Sequence, residues 1–232
     1  MTYPLYLAVR GVPDEADIPI LLDELRVAFS REENFPYLEA LCRSPLPRVT
    51  AERLGALSLL VSLLTRAGIS PTPLILCRDD HGRPYCRSTD GEIPPFDFNL
   101  SHSSAHVAGC LLVGDGRVGL DVEEPLPPAR ALPLLRRYAT EGELAILPVP
   151  PEEDPAAAST YFTALWTRRE AMAKQTGTGM PLQYDSTALP SSLHLLHAVI
   201  PTTGAALSLC IPRENTPELP ILTEDSLPVT FL

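Results

Sequence analysis

Between Thr50 and Ala67 the apolar positions recur every three or four residues, and Gly68 follows the last turn. The pattern predicts a helix over 51–67 capped by Thr50. A second helical period runs through Tyr161–Gly177, with Gly177 as its stop, and predicts a helix over 159–176. Looser signals predict a strand over 3–9, a first helix in ADIPILLDELR, a turn at DDHGRPY and a helix-rich stretch from Pro133 to Leu147. FNLSHSSAHVAGCLLVG carries an apolar strand ending at Gly114. RVGLDVEE is a further strand, reached through GDG, a hairpin signal. LHLLHAVI and AALSLCI complete the strands. Each half of the chain thus holds one long helix and then strands, which suggests a structural duplication joined near residues 113–118.

Composition narrows the class. The chain has 232 residues, 45% hydrophobic and 20% charged, which is enough for a buried core and fits a globular protein. Its 26 prolines gather in short connectors such as PLPPARALP, so loops are stiffened. With 18 basic against 29 acidic residues the net charge is −11, which disfavours nonspecific nucleic-acid or anionic-membrane binding. The five scattered cysteines include no C-x-x-C, so a reducing cytoplasm is the expected compartment. MTYPLYLAVR lacks a basic start and a long apolar run and is expected to be a strand, not a signal peptide; no segment reaches a membrane span.

Candidate chemistry sits in three places. In RVGLDVEE, alternation puts Val118, Leu120 and Val122 on one face and Asp121 and Glu123 on the other. Two carboxylates so placed are either solvated or share a cation; all-oxygen ligands favour Mg²⁺ over zinc. In WTRREAMAK, Phe162, Trp166, Glu170 and Lys174 form one helical ridge. A surface Glu–Lys pair of this spacing is ordinary; beside a tryptophan it points to partial burial. In FNLSHSS, Ser101 and His102 can donate to phosphate oxygens. His102 and His106 have the spacing of helical metal ligands, but the segment reads as strand. No G-x-S-x-G elbow supports Ser101 as a nucleophile.

Taken in order, FNLSHS, VGLDVEE and LWTRREAMAKQTGTG resemble the signature of the 4′-phosphopantetheinyl transferase superfamily, in its larger, monomeric, two-half (surfactin-synthetase-activating) type. HGRPY resembles the family's G-[KR]-P element, TAERLGAL its arginine-bearing helix and RRYATEGELAIL its intermediate helix; the resemblance covers roughly residues 48–180. It implies an α/β (α+β) fold of two similar subdomains related by pseudo-twofold symmetry, 1–115 and 116–232, with coenzyme A in the cleft between them. The implied reaction moves the phosphopantetheine arm to a serine of an acyl or peptidyl carrier protein and releases 3′,5′-ADP. By motif position Asp121, Glu123 and Glu170 would hold Mg²⁺, and Glu170 would take the serine proton. Lys174 would neutralise the diphosphate, while Arg53, Arg83, Ser101 and His102 would hold phosphates.

Two departures stand out. Arg169 replaces the family's lysine before the glutamate, and the N-terminal basic residues Arg26, Arg31 and Arg43 form only a thin cluster. An acidic carrier would then meet a local patch of Arg136, Arg137, Arg168 and Arg169. Two other readings remain open: a catalytically weak relative that binds coenzyme A or a carrier, and a Mg²⁺-dependent nucleotide phosphohydrolase.

Overall fold

In the N-terminal part, strand β1 (Leu5–Gly11) leads to helices α1 (Ile18–Ala28), α2 (Phe35–Leu41) and α3 (Pro47–Arg66). A hairpin of β2 (Ile75–Arg78) and β3 (Pro84–Arg87) follows, then β4 (Phe96–His102) and β5 (His106–Val113). The second part repeats the order of strand, helices and hairpin. It contains β6 (Gly119–Glu123), α4 (Pro128–Tyr138), α5 (Glu141–Leu144), α6 (Pro155–Thr176), β7 (Leu193–Ile200) and β8 (Ala205–Pro212). Two short strands, β9 (Ile221–Leu222) and β10 (Thr230–Phe231), end the chain. This computed structural model describes residues 3–147, 150–177, 189–214 and 219–232.

One sheet has the order β4-β5-β1-β9 and the other β10-β7-β8-β6. In each, a hairpin is joined antiparallel to the first strand of its own part, so β4-β5-β1 corresponds to β7-β8-β6. The sheets face each other across an apolar layer. Leu5, Leu7 and Val9 of β1 and Cys110 and Leu112 of β5 meet Val118, just before β6, Leu120 and Val122 of β6, and Leu207 and Leu209 of β8. The alternate residues, such as Ala8, Val107 and Leu111, turn outward and pack under α3. On the opposite side α6 lies on β6 and β8, where Ala171 and Met172 cluster with Cys210. The result is four layers, helix–sheet–sheet–helix, an α+β architecture.

Several expectations shift. The long helix begins at Pro47, not at Thr50: Leu46 occupies the cap position without a side-chain bond, and proline at the first turn presets the backbone. Thr50 is buried inside the helix. The FNLSHSSAHVAGCLLVG run is two antiparallel strands. GDG does form a turn, with Gly114 and Gly116 at φ 124° and 130°, but the strands it joins belong to different sheets. Both edges of β5 are already taken by β4 and β1, so β6 has no place beside it. Pro133 lies within α4 rather than opening a helix.

Candidate active site

β6 is an edge strand, and β4 is the edge of the facing sheet. Between them runs a ladder made of side chains. The backbone N–H groups of Val118 and Leu120 donate to Asp97 Oδ2 and Asn99 Oδ1, both at 2.8 Å, and that of Val122 donates to Ser101 Oγ at 3.4 Å. Carbonyls are met in return: Arg83 Nη2 donates to Val118 O at 2.9 Å and Lys174 Nζ to Leu120 O at 3.1 Å. Every second residue of β4 is polar because each reaches across to β6, while Phe96 and Phe98 turn into the core beneath α3.

At the centre of this junction the three sequence motifs meet. Asp121 is buried, and its Oδ1 accepts from Ser101 Oγ at 2.9 Å and from Lys174 Nζ at 2.7 Å. Lys174 Nζ also donates to Ser101 Oγ at 3.1 Å. The other carboxylate oxygen, Oδ2, is buried with no partner among the described residues. Glu123 lies two residues along the same face. Burial, then the charges of Asp121 and Glu124, push its carboxyl up to about 7. Glu170, one turn before Lys174 on α6, is raised by burial and then by Asp121. The proximity of α6 depends on Gly119: a Cβ there would overlap the Ala171 carbonyl oxygen and come 2.5 Å from the Gln175 nitrogen.

The phosphate-binding candidates divide. His102 is half-exposed at the end of β4, its Nδ1 3.3 Å from Glu52 Oε2. Burial lowers its pKa; Glu52 opposes this, and the positive charges of Lys174 and Arg53 reinforce it. Arg53, half-buried on α3, is therefore near His102. Ser101 is buried and engaged by Asp121 and Lys174. Arg83 lines a cleft of about 270 Å³ with Gly82, Pro84, Arg117, Glu170 and Lys174. Its Nη atoms, however, donate to Asp97 Oδ2 at 2.6 Å, Phe98 O at 3.0 Å, Val118 O at 2.9 Å and Lys174 O at 2.7 Å. It fastens the end of α6 to β4 and β6.

On the other side of Glu123 lies a second cleft of about 220 Å³, lined by Leu126, Leu134, Phe162 and Trp166, with Glu123 and Glu124 at its polar edge. Trp166 is held by Tyr138 and Phe162, ring centroids 5.8 and 5.9 Å away. Arg169 is not on the surface. It is buried, its Nη2 donating to Glu143 Oε2 at 2.5 Å and its Nη1 to Tyr138 O at 2.8 Å, so it anchors α4 and α5 to α6. Of the proposed surface patch, Arg136 pairs with Glu152 and Arg137 lies over the Tyr138 ring. Gly179, the second glycine after the motif, falls outside the described residues.

Sequence reading passed over Asp97, Asn99 and Glu124. Asp97, Asn99 and Ser101 form a period-two polar row that could have been read as one face of a strand. Glu124 accepts from Ser103 Oγ at 2.6 Å, Ser104 N at 2.9 Å and Ala105 N at 3.2 Å, and its Oε1 is 2.7 Å from His106 Nδ1. It closes the turn between β4 and β5. Burial alone would raise its carboxyl, but the bonds from Ser103 and His106 outweigh that and lower it.

Among the described residues no three His, Cys, Asp or Glu side chains stand as a ready metal cage. The donor chemistry nonetheless fits a hard divalent cation. Asp121 offers a buried oxygen unpartnered among the described residues, and burial, then the like charge of Asp121, raises both Glu123 and Glu170.

Comparison with known proteins gives a consistent result. Residues 117–203 match the family model described as the 4′-phosphopantetheinyl transferase superfamily. The chain is 33% identical over 158 residues to the 4′-phosphopantetheinyl transferase AcpT of Salmonella typhi, covering 67% of this chain and 77% of that protein. It is 37% identical over 107 residues to the 4′-phosphopantetheinyl transferase psf-1 of Bacillus pumilus, 46% of this chain and 41% of that one. With the 4′-phosphopantetheinyl transferase pptA of Paxillus involutus it shares 27% over 203 residues, 74% of this chain and 70% of that protein.

Proposed function

Because the chain belongs to the 4′-phosphopantetheinyl transferase superfamily, a family of transferase enzymes, we propose that it moves the phosphopantetheine arm of coenzyme A to a serine of an apo acyl or peptidyl carrier protein. The observation that carries this reading is the meeting of Ser101, Asp121 and Lys174 within 3.1 Å, one residue from each of three separate motifs.

The carrier serine oxygen forms a bond to the phosphorus bearing the pantetheine. The bond from that phosphorus to the bridging oxygen breaks, and 3′,5′-ADP leaves with the electron pair. Asp121, Glu123 and Glu170 would hold a Mg²⁺ ion, whose chemistry when bound is to neutralise diphosphate charge. Glu170 takes the serine proton, directly or through a water. Lys174 holds its positive charge against Asp121 and is placed to offset charge on the leaving phosphate. His102 and Arg53 bind phosphate oxygens where the end of β4 meets α3. The apolar cleft of Phe162, Leu126, Leu134 and Trp166 suits the pantetheine arm.

Residues 1–115 and 116–232 act as the two halves of this site, a division supported by their matching strand order. The net charge of −11 supports a partner other than nucleic acid or membrane, and the five free thiols support a reducing cytoplasm. Among the described residues no helix is long and apolar enough to cross a membrane. We read the working unit as the monomer, since both halves of the site lie in one chain.

The test is to incubate the protein with coenzyme A, Mg²⁺ and apo carrier proteins and to weigh the carriers intact. Addition of one phosphopantetheine per carrier, absent when the carrier serine is alanine, supports the proposal. Coenzyme A hydrolysed with every carrier unmodified would replace it with a phosphohydrolase.

A further inference from the structure

Leu120 immediately precedes Asp121, and both its backbone N–H and its carbonyl are held by side chains from outside its own sheet. Its N–H donates to Asn99 Oδ1 at 2.8 Å, and its carbonyl accepts from Lys174 Nζ at 3.1 Å. Leu120 itself is fully buried between the sheets. On its other edge β6 is paired with β8, where Leu120 sits opposite Leu209 and Asp121 opposite Ser208. No backbone ladder joins β6 to β4. The position of Asp121 relative to Ser101 and His102, which belong to the other sheet, therefore rests on side chains that cross the junction: Arg83 and Lys174 at the β6-side carbonyls, and at the N–H groups the three β4 residues Asp97, Asn99 and Ser101.

These three are not equivalent. Asp97 Oδ2 is shared between Val118 N and Arg83, and Ser101 Oγ is shared among Val122 N, Asp121 and Lys174. Asn99 Oδ1 serves Leu120 alone among the described contacts, and Asn99 is buried. The donor is a backbone N–H, so the amide must present its oxygen, which fixes the side chain's orientation. An acceptor at this point does three things. It spares a buried N–H from having no partner, it sets the register between the two sheets, and it holds the residue whose carbonyl, in the next peptide, accepts from Lys174.

We infer that Asn99 is a positioning residue for transfer: through the Leu120 peptide it sets where Asp121 and Lys174 stand relative to the Ser101–His102 end of β4. This rests on the transferase reading above. Asn99 also lines the cleft beside Glu170 and Lys174, but its Oδ1 is engaged by Leu120, so this acceptor acts on the placement of the reacting groups and not as a ligand of the coenzyme. Its loss should thus appear in kcat and in the metal requirement, and not in the KM for coenzyme A.

The experiment uses the full chain and an apo carrier protein that the wild type modifies, so a wild type that modifies none fails the function and not this inference. In Asn99→Leu, which keeps the branching and the number of heavy atoms and loses the acceptor, kcat should fall about 10²-fold with the coenzyme A KM within about threefold. The Mg²⁺ concentration for half-maximal rate should rise by about tenfold, as expected for a displaced Asp121. Asn99→Asp keeps an acceptor oxygen and should recover kcat to within about tenfold of wild type. A folded Asn99→Leu that transfers at the wild-type rate would overturn the inference, even with a lowered Tm. If Asn99→Leu does not fold, Asn99→Asp decides: recovery supports the inference, and a kcat loss of about 10²-fold in a folded protein overturns it.

Discussion

Gly119 on β6 and Ala171 on α6 meet backbone to backbone, with no room for even one methyl group between them. That contact lets Glu170 and Lys174, on either side of Ala171, share a site with Asp121. Gly119→Ala should push α6 outward, costing about 1–3 kcal/mol of stability and at least roughly 10²-fold in kcat/KM. Thermal denaturation and steady-state transfer measure the two effects. Activity within about threefold of wild type would show that α6 can move without harming the site.

Glu170→Gln removes the proposed proton acceptor but keeps the shape. Transfer should slow by about 10²–10⁴-fold, while the KM for coenzyme A changes little. Stability should hold or rise, because burial and Asp121 both disfavour the ionised carboxyl that the variant eliminates. Near-normal kcat would remove Glu170 from proton transfer.

Glu123 gives the pH dependence. Its pKa is about 7 in the folded protein against an ordinary 4.5, because burial and then Asp121 and Glu124 disfavour its charge. Below pH 4.5 the group is protonated in both states. Between there and about 7 the folded protein keeps a proton that the unfolded chain has lost, so metal-free stability falls as pH rises through this window. Binding of Mg²⁺ requires the ionised form, so its affinity should climb across the same range and level off above it. Calorimetry of Mg²⁺ binding over this range checks it, with Glu123→Gln as the variant that loses the slope. A Mg²⁺ affinity independent of pH would refute the assignment of Glu123 as a ligand.

Arg169 and Glu143 form a pair that is 2% and 1% exposed at the side chains. Arg169→Met removes a buried guanidinium from the Glu143 carboxylate and should cost about 3–5 kcal/mol in urea denaturation. Arg169→Met with Glu143→Leu should recover most of that loss. Equal loss in the double variant would mean that Arg169 contributes through packing and not through charge.

Much of this was legible from sequence. The ridge of Phe162, Trp166, Glu170 and Lys174 is a local, periodic signal, and α6 carries it. The alternation in VGLDVEE correctly separates the core residues Val118, Leu120 and Val122 from Asp121 and Glu123. What escaped depends on distant partners. Ser103–Ser104–Ala105 has no glycine or proline to mark a turn, because Glu124, some twenty residues on, supplies its bonds. GDG has the right local chemistry for a hairpin, but whether two strands pair is settled by which edges are free. Arg83 sits in a turn and read as a phosphate ligand; its Nη atoms are spent on Asp97 and three carbonyls from β4, β6 and α6 or their ends. Arg169 read as surface charge because its partner Glu143 lies in another helix.

The central claim is that Asp121, Glu123 and Glu170 gather one divalent ion on the coenzyme's diphosphate. Crystals grown with Mn²⁺ and coenzyme A, measured at the manganese absorption edge, test it most directly. One anomalous peak is predicted between the three carboxylates and against the diphosphate oxygens, and lost in Asp121→Asn. A coenzyme bound in the cleft with manganese elsewhere, or with no manganese at those carboxylates, would contradict it.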